Sequence, residues 1–283
     1  MIVGLDHVVI LVRDIEAAVM AYRTVLGRAP SWRSAGDGAA SVFFTLDNMS
    51  VELLAPGGEG PGSERIAAAL AAQGEGLASL CFRVTDIAAM QRRLERVGLR
   101  PEPVADGSSR DVLSGATLSW QRTRAATEAS HGIRLFFLAM AGTRPQSEAV
   151  VPTAVERLDH VVIETADPER AAALYGARLG LDLRLDRSHP DWGRLMFFRC
   201  GDVIVETVQR AGKDYSSGQD RLWGLCWRVA DITASRARMI AAGLGVSEPR
   251  PGRKPGTQVA TIRGGTCGVP TLLIQAKAQT PAT

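Results

Sequence analysis

The sequence predicts an α+β protein of four modules, each with the order strand, helix, strand, strand, strand, paired into two similar domains. The first observation is an identical repeat, because Leu5–Ile10 and Leu158–Ile163 have the same six residues. The second is a weaker repeat between Cys81–Ile87 and Cys226–Ile232. Repeats so far apart indicate duplicated domains and not a short-period solenoid.

The elements of the first half are predicted from composition and from the residues that begin or end helices and strands. Runs of β-branched and apolar residues predict strands. Asp14 is placed to cap a helix that Gly27 ends, and Gly98 ends a second one. The predicted elements are the strand Leu5–Val12, the helix Ile15–Leu26, a short strand within 31–46, the strands Ala40–Leu46 and Met49–Leu54, a short helix near Arg65–Ala72, the strand Leu77–Val84, the helix Asp86–Val97, the short strand Arg100–Val104, and the hairpin strands Ala116–Thr123 and Ile133–Met140.

The second half repeats this order after a connection that contains Pro145 and Pro152. Pro168 suits the first turn of a helix, where its missing N–H has no cost. We therefore predict a first domain over 1–140 (modules 1–56 and 77–140), a linker over 141–154 and a second domain over 155–277 (modules 155–210 and 221–277). The predicted elements are Leu158–Glu164, the helix Pro168–Leu179, Leu181–Asp186, Arg194–Cys200, Asp202–Gln209, Leu222–Val229, the helix Asp231–Ala242, Thr257–Arg263 and Val269–Gln275.

Composition limits the classes of function. The 33 basic and 30 acidic residues are scattered, so we expect neither nucleic-acid nor membrane binding. The four cysteines form no CxxC pair, which favours reduced, buried side chains. The chain shows no signal peptide and no apolar run of membrane-spanning length, so a cytoplasmic protein is expected.

Polar residues interrupt apolar strands at matching places in both halves. His7 and His160 do so in the repeated strand. Glu52 and Glu206 do so in a later strand of each half. A carboxylate in a half-buried strand is costly unless it is paired, hydrogen-bonded or bound to a cation.

These pairs allow two interpretations. Each His and Glu can be half of a site for a divalent metal such as Zn, Ni, Fe, Mn or Co. Alternatively, each pair is an inherited polar contact without a metal. Without a metal, an enclosed Glu52 or Glu206 is expected to have a raised pKa, which suits a general base that removes a proton beside a carbonyl group. The alternative is a glutamate that is only salt-bridged or hydrogen-bonded.

Arginines and one tryptophan are candidates for substrate binding. Arg83 and Arg228 occupy equivalent places in the repeat, and alternation puts them on the face of the neighbouring cysteines. Together with Arg122, they could bind a carboxylate or phosphate, although solvated or paired surface positions are an alternative. Trp120 could form the floor of an apolar pocket or pack in the core.

The four-module order resembles the vicinal oxygen chelate superfamily, which includes glyoxalases, methylmalonyl-CoA epimerases, bleomycin-resistance proteins and extradiol dioxygenases. Glu52–Pro56 and Gly74–Leu77 look most like the epimerase and glyoxalase-like branch. The resemblance implies curved, mostly antiparallel sheets in which two modules enclose an open cleft in each domain. It also implies further metal ligands on the partner module.

The sequence departs from the family at those further ligand positions. They correspond here to Ser79 and Phe136 in the first half and to Gly224 and Leu272 in the second. None of these is a metal ligand, so the ligand set of His7, Glu52, His160 and Glu206 is incomplete. An extradiol dioxygenase, whose iron needs two histidines and a carboxylate, is therefore the less favoured class.

The sequence leaves several functional hypotheses open. The leading one is an isomerase, epimerase or lyase that transfers a proton next to a carbonyl of a small substrate, which the arginines suggest is anionic, with or without a metal. The alternative is a non-catalytic protein that binds or sequesters a small molecule, as bleomycin-resistance proteins do. A third hypothesis is that one domain is active and the other is a structural remnant. The protein is expected to be a monomer or a homodimer.

Overall fold

The structure is a computed structural model that describes residues 1–276, so the predicted domain end at residue 277 lies outside the described residues. The first half contains β1 (Ile2–Leu11), α1 (Ile15–Leu26), β2 (Trp32–Gly36), β3 (Ala39–Thr45), β4 (Ser50–Pro56), α2 (Pro61–Gln73), β5 (Gly76–Val84), α3 (Ile87–Arg96), β6 (Ala105–Arg110), β7 (Thr117–Arg124) and β8 (Arg134–Ala141).

The second half follows this order, but within residues 155–276 it has no counterpart of α2 and has two short strands in place of β6. It contains β9 (Val155–Glu164), α4 (Pro168–Ala172) with a π-helical continuation (Ala173–Arg178), β10 (Asp182–His189), β11 (Gly193–Cys200), β12 (Val203–Gln209), β13 (Arg221–Val229), α5 (Ile232–Ala241), β14 (Gly245–Val246), β15 (Arg250–Pro251), β16 (Thr257–Arg263) and β17 (Thr271–Ala276). We have no physical account of the change from α to π geometry within the predicted helix Pro168–Leu179.

Each half forms one curved sheet from two modules. The first sheet has the order β2-β3-β4-β1-β5-β8-β7-β6, and the second has the order β10-β11-β12-β9-β13-β17-β16-β14, with β15 also pairing with β16. The first strands of the two modules pair antiparallel in both sheets, β1 with β5 and β9 with β13. The predicted α+β class with paired modules is confirmed.

Aspartates cap four of the described helices, and the cap predicted at Asp14 is confirmed. Asp14 accepts hydrogen bonds from the backbone N–H groups of Glu16 and Ala17, and Gly27 ends α1 with φ of 69°. Asp86, Asp167 and Asp231 cap the later helices in the same way. These caps are local features, which is why the sequence located them well.

The predicted strand Arg100–Val104 is wrong. These residues are irregular, and the strand β6 begins at Ala105 instead. The segment Ala105–Arg110 consists of small and polar residues without an apolar alternation, and most of its side chains are exposed. Its strand conformation comes from pairing with β7 and from proximity to β2. Tertiary pairing has overridden a weak local preference.

The edges of the first sheet meet, whereas those of the second do not. The Trp32 indole N–H donates to Ser109 Oγ at 3.0 Å, and the Arg33 N–H donates to Asp111 Oδ1 at 2.8 Å. These contacts bring β2 against the end of β6. Within residues 155–276, β10 makes no hydrogen bond with β14 or β15. The second sheet is therefore more open.

The helices α1, α3, α4 and α5 pack on the outer faces of the sheets, and one buried apolar cluster runs through the two halves. It includes Leu5, Phe82, Phe137, Phe198 and Trp227, all fully buried. None of the helices within residues 1–276 has the length and apolar character that crossing a membrane requires.

Two arginines join the halves in a reciprocal way. Arg93 of α3 donates from Nε to the carbonyl of Arg178 at 3.0 Å, at the end of the α4 helix. Arg238 of α5 donates from Nη2 to the carbonyl of Val25 at 3.1 Å, at the end of α1. A cation at a helix C-terminus binds unsatisfied carbonyls and complements the helix dipole.

We expect the double substitution Arg93→Gln and Arg238→Gln to lower the free energy of unfolding by about 2 kcal/mol, because each removes a half-buried charged hydrogen bond. Urea denaturation measures this change. Arg92→Gln is the matched control, since Arg92 is an exposed neighbour on the same helix, and it should change stability by less than about 0.5 kcal/mol. Equal losses in both proteins would contradict the assignment.

Candidate functional site

The concave face of each sheet brings together the His and Glu predicted from sequence. In the first half, Val9 pairs with Glu52 of β4, and His7 pairs with Cys81 of β5. His7 Nε2 lies 3.4 Å from Glu52 Oε2. The second half repeats the contact, with His160 Nε2 at 3.4 Å from Glu206 Oε2.

An aspartate that sequence reasoning missed completes each pair. Asp6 Oδ1 is 2.7 Å from His7 Nδ1, and Asp159 Oδ1 is 2.9 Å from His160 Nδ1. Neighbours in a regular strand point to opposite faces, so Asp and His would be separated. Here β1 and β9 each carry a β-bulge at the aspartate, which turns both side chains to one side. The repeated hexapeptide, which includes the aspartate, was the available signal.

The concave face of the first sheet, which we name the first cleft, is filled by the chain itself. Arg144, from the linker, forms an ion pair with Asp6 and lies 3.4 Å from His7 Nδ1. Its guanidinium stacks 4.4 Å from the centre of the Phe43 ring, and its side chain is only 9% exposed. Burial alone would raise the pKa of Asp6, but His7 and Arg144 hold this pKa well below its usual range.

The other end of the first cleft is covered by α2. Ile66 and Leu70 of this helix pack on Val9 and Leu11, which lie on the cleft side of β1. Ser41 Oγ donates a hydrogen bond of 2.6 Å to Glu52. The first His–Glu pair is therefore enclosed by protein groups on several sides.

The concave face of the second sheet, named the second cleft, is lined differently. Buried Val162, Leu195 and Val208 pack with three aromatic side chains, which are Trp192, Phe197 and Trp223. The guanidinium of Arg210 lies 4.1 Å from the Trp223 ring centre, and that of Arg253 lies 5.0 Å from Trp192. This cleft combines an aromatic wall with cations, which is typical of a site for a small molecule.

Burial and charge determine the protonation of the second His–Glu pair. Burial raises the pKa of Glu206, and the charges of His160, Arg253 and Arg210 oppose this shift only in part. Burial disfavours the charged form of His160, but Cys226, Asp159 and Glu206 together raise its pKa well above the ordinary value. A carboxylate of raised pKa thus faces a histidine that favours its protonated form.

The predicted substrate-binding arginines have different places. Arg228 Nη2 donates to Asp159 Oδ2 at 2.6 Å, so it holds the aspartate of the second cleft. The equivalent Arg83 is exposed beside Gly4. In the first half, Arg144 and not Arg83 forms the ion pair with Asp6.

The remaining predicted residues lie on β7. Arg122 and Arg124 flank the Phe136 ring at 5.9 and 5.8 Å from its centre. Trp120 packs against a small cluster of Trp32, Phe43 and Leu118. It also lines an open cavity of about 580 Å³ between β6, β7 and β8. Trp120 thus lies between an apolar cluster and this cavity, and its predicted role in substrate binding stays a prediction.

The donor groups of the first cleft form a partial metal site. Ligand atoms of Asp6, His7 and Cys81 lie within 4.8 Å of one another. However, Asp6 is already paired with Arg144, and burial raises the pKa of the Cys81 thiol well above its usual value, so the thiolate that binds metals is disfavoured.

The further ligand positions also lack donors. Ser79 pairs with Val9, and Phe136 with Cys81, so a hydroxyl and a ring occupy the expected places. In the second cleft these places hold Gly224 and Leu272. Each cleft thus offers one His and one Glu as free ligands, whereas a catalytic zinc site generally has three. The donor set does not fit a tightly held metal.

Two family models match the chain. One described as a glyoxalase-like domain matches residues 5–176, and one described as the glyoxalase/bleomycin resistance protein/dioxygenase superfamily matches residues 159–261. An ethylmalonyl-CoA/methylmalonyl-CoA epimerase of Cereibacter sphaeroides is 40% identical over 104 residues, which are 35% of this chain and 75% of that protein.

Solved structures share the fold across the chain. A triple mutant of 4-hydroxymandelate synthase from Streptomyces coelicolor has a TM-score of 0.70 at 15% identity, covering 100% of this chain and 95% of that one. The Mn(II)-bound glyoxalase from Novosphingobium aromaticivorans has a TM-score of 0.67 at 11% identity, covering 97% and 82%. These structures show the shared fold. The family models show that the chain belongs to the glyoxalase-like family of the vicinal oxygen chelate superfamily.

Proposed function

We propose that the protein is an isomerase, epimerase or lyase that moves a proton at the carbon beside a carbonyl group, and that its second cleft is the active one. The observation that carries this proposal is Glu206, a carboxylate only 8% exposed with a raised pKa, placed against an aromatic wall. A base with these properties suits removal of a weakly acidic C–H proton.

The proposed reaction uses three side chains of one half. Glu206 takes the proton from the carbon, and the electron pair of the broken C–H bond moves to the carbonyl oxygen as an enolate. Protonated His160 donates a hydrogen bond to that oxygen, and Asp159 fixes the ring through Nδ1. Protonation of the enolate carbon on its opposite face by water gives the epimer, and Glu206 is restored when it releases the proton that it took to solvent.

The relatives support this class of reaction. The protein from Cereibacter sphaeroides is named an epimerase, and one structural neighbour is named a glyoxalase. The first cleft is the weaker candidate, because Arg144 and α2 fill the space beside its His–Glu pair.

Non-catalytic binding of a small molecule is the second candidate. The vacant ligand positions Gly224 and Leu272 and the aromatic wall of the second cleft favour it. Tight binding of a compound without proton exchange would select this function over the enzyme.

We expect Glu206→Gln to reduce turnover by about 100-fold or more, because a general base supplies a factor of that order. Proton exchange in D₂O, followed by NMR, measures this with methylmalonyl-CoA, ethylmalonyl-CoA and a panel of other carbonyl compounds with an acidic neighbouring C–H. Glu52→Gln is the matched variant in the first half and should retain most of the turnover. The reverse pattern would move the active site to the first cleft, and full activity in both variants would exclude a glutamate base.

The pH dependence of kcat/KM should be bell-shaped. Activity should rise as Glu206 loses its proton, with a midpoint above the ordinary glutamate pKa of about 4.3, and fall as His160 loses its proton, above about 6.5. Asp159→Asn removes one group that raises the pKa of His160, so it should move the alkaline limb to lower pH. An alkaline limb that stays in place would argue against the histidine. The two midpoints belong to the coupled pair.

Metal binding is expected to be weak, since each cleft offers only two free ligands. Protein loaded with Zn²⁺ or Mn²⁺ should lose the ion during gel filtration, as measured by elemental analysis. Retention of about one equivalent that His160→Ala or His7→Ala abolishes would instead show a metal site and identify its half.

A further inference from the structure

We infer that Arg253 is an anchor for an anionic oxygen group of the substrate, so that the second cleft selects compounds that carry a carboxylate or phosphate. This inference rests on the proposed function for placing the substrate beside Glu206. Neither the repeat nor the strand pattern pointed to Arg253, which lies in the connection between β15 and β16.

Arg253 is held over the cleft by an aromatic stack. Its guanidinium lies 5.0 Å from the centre of the Trp192 ring, and Trp192 belongs to the turn between β10 and β11. The His189 ring stacks on the same indole at 4.9 Å, nearly parallel to it. Trp192 also packs on the buried cluster of the second cleft. The contact therefore spans the opening between the two edges of the second sheet.

The charge of Arg253 is available for a ligand. The acidic groups of the second cleft already have cationic partners: Glu164 binds Arg210 and Lys213, Asp159 binds Arg228, and Glu206 faces His160. Across residues 1–276, Arg253 forms a cation–π contact but no ion pair with a carboxylate. Its charge acts on Glu206, where it opposes the rise in pKa that burial causes.

The loop that carries Arg253 is tightly built. The Gly252 N–H donates to the Thr257 carbonyl at 3.0 Å, and Thr257 Oγ1 donates to the Lys254 carbonyl at 2.6 Å. A Cβ atom at Gly252 would lie 2.3 Å from Thr257 Oγ1, so the turn requires a glycine there. The backbone next to Arg253 is thus fixed by hydrogen bonds.

The stacked geometry suits recognition of an oxyanion. A guanidinium in cation–π contact with an indole still has N–H groups for two parallel hydrogen bonds to a carboxylate or phosphate. An anion held there would orient the reacting carbon towards Glu206. A neutral analogue would lose this contact and bind more weakly.

Binding of malonate and of inorganic phosphate to the full chain, measured by calorimetry, tests the inference. Arg253→Gln should weaken binding of the preferred anion by about tenfold or more, as for loss of a charged hydrogen bond. Arg253→Lys keeps the charge but loses the two parallel hydrogen bonds of the guanidinium, so it should weaken binding of the anion to a smaller extent. Arg250→Gln is the control of equal charge in the adjoining strand β15 and should change binding by less than about twofold. A preference for malonate or for phosphate identifies the group bound.

Equal losses in Arg253→Gln and Arg250→Gln would overturn the inference, because they would show unspecific attraction by charge. The inference would also be overturned if the protein without substitutions bound neither malonate nor phosphate. Glu206→Gln should keep the binding of malonate or phosphate. If Glu206→Gln loses proton exchange while Arg253→Gln binds the anion normally, the anchor is wrong and the proposed function stands. If anion binding depends on Arg253 but Glu206→Gln still exchanges the proton, the proposed base is wrong and the anchor stands.

Discussion

The antiparallel pairing of β1 with β5, repeated by β9 with β13, is the interaction on which the rest of the structure depends. It joins two modules into one curved sheet and so creates each cleft. The bulge within this pairing also turns Asp6 and Asp159 towards the neighbouring histidines. A regular ladder would place each aspartate in the apolar layer under the helices, where an unpaired carboxylate is very costly.

The two halves share this framework but have different clefts. The partner of Asp6 is Arg144 from the linker, whereas the partner of Asp159 is Arg228 from the adjoining strand. Helix α2 covers one end of the first cleft. In the second half, the corresponding connection supplies Arg210 and Lys213, which bind Glu164. Duplication thus kept the polar groups and changed what lies above them.

The carboxylates of the clefts differ in how well their charge is compensated. Asp6 and Asp159 each have two cationic neighbours and a lowered pKa, so their charges are well compensated. In the second cleft, Glu206 is buried with incomplete compensation, as its raised pKa shows. A poorly compensated buried charge lowers stability, and such groups concentrate at functional sites. The raised pKa of Glu206 therefore supports the proposal that this residue is the catalytic base.

The sequence by itself determined the duplication, the α+β class, the helix caps and the His–Glu pairs. These depend on local composition or on direct repetition, as Asp14, Gly27, His7 and Glu206 illustrate. Only the tertiary structure decided that β6 is a strand, that Arg144 enters the first cleft and that Arg253 lies over Trp192. Each of these depends on residues far apart in the chain meeting through sheet curvature and loop geometry, which no local pattern encodes.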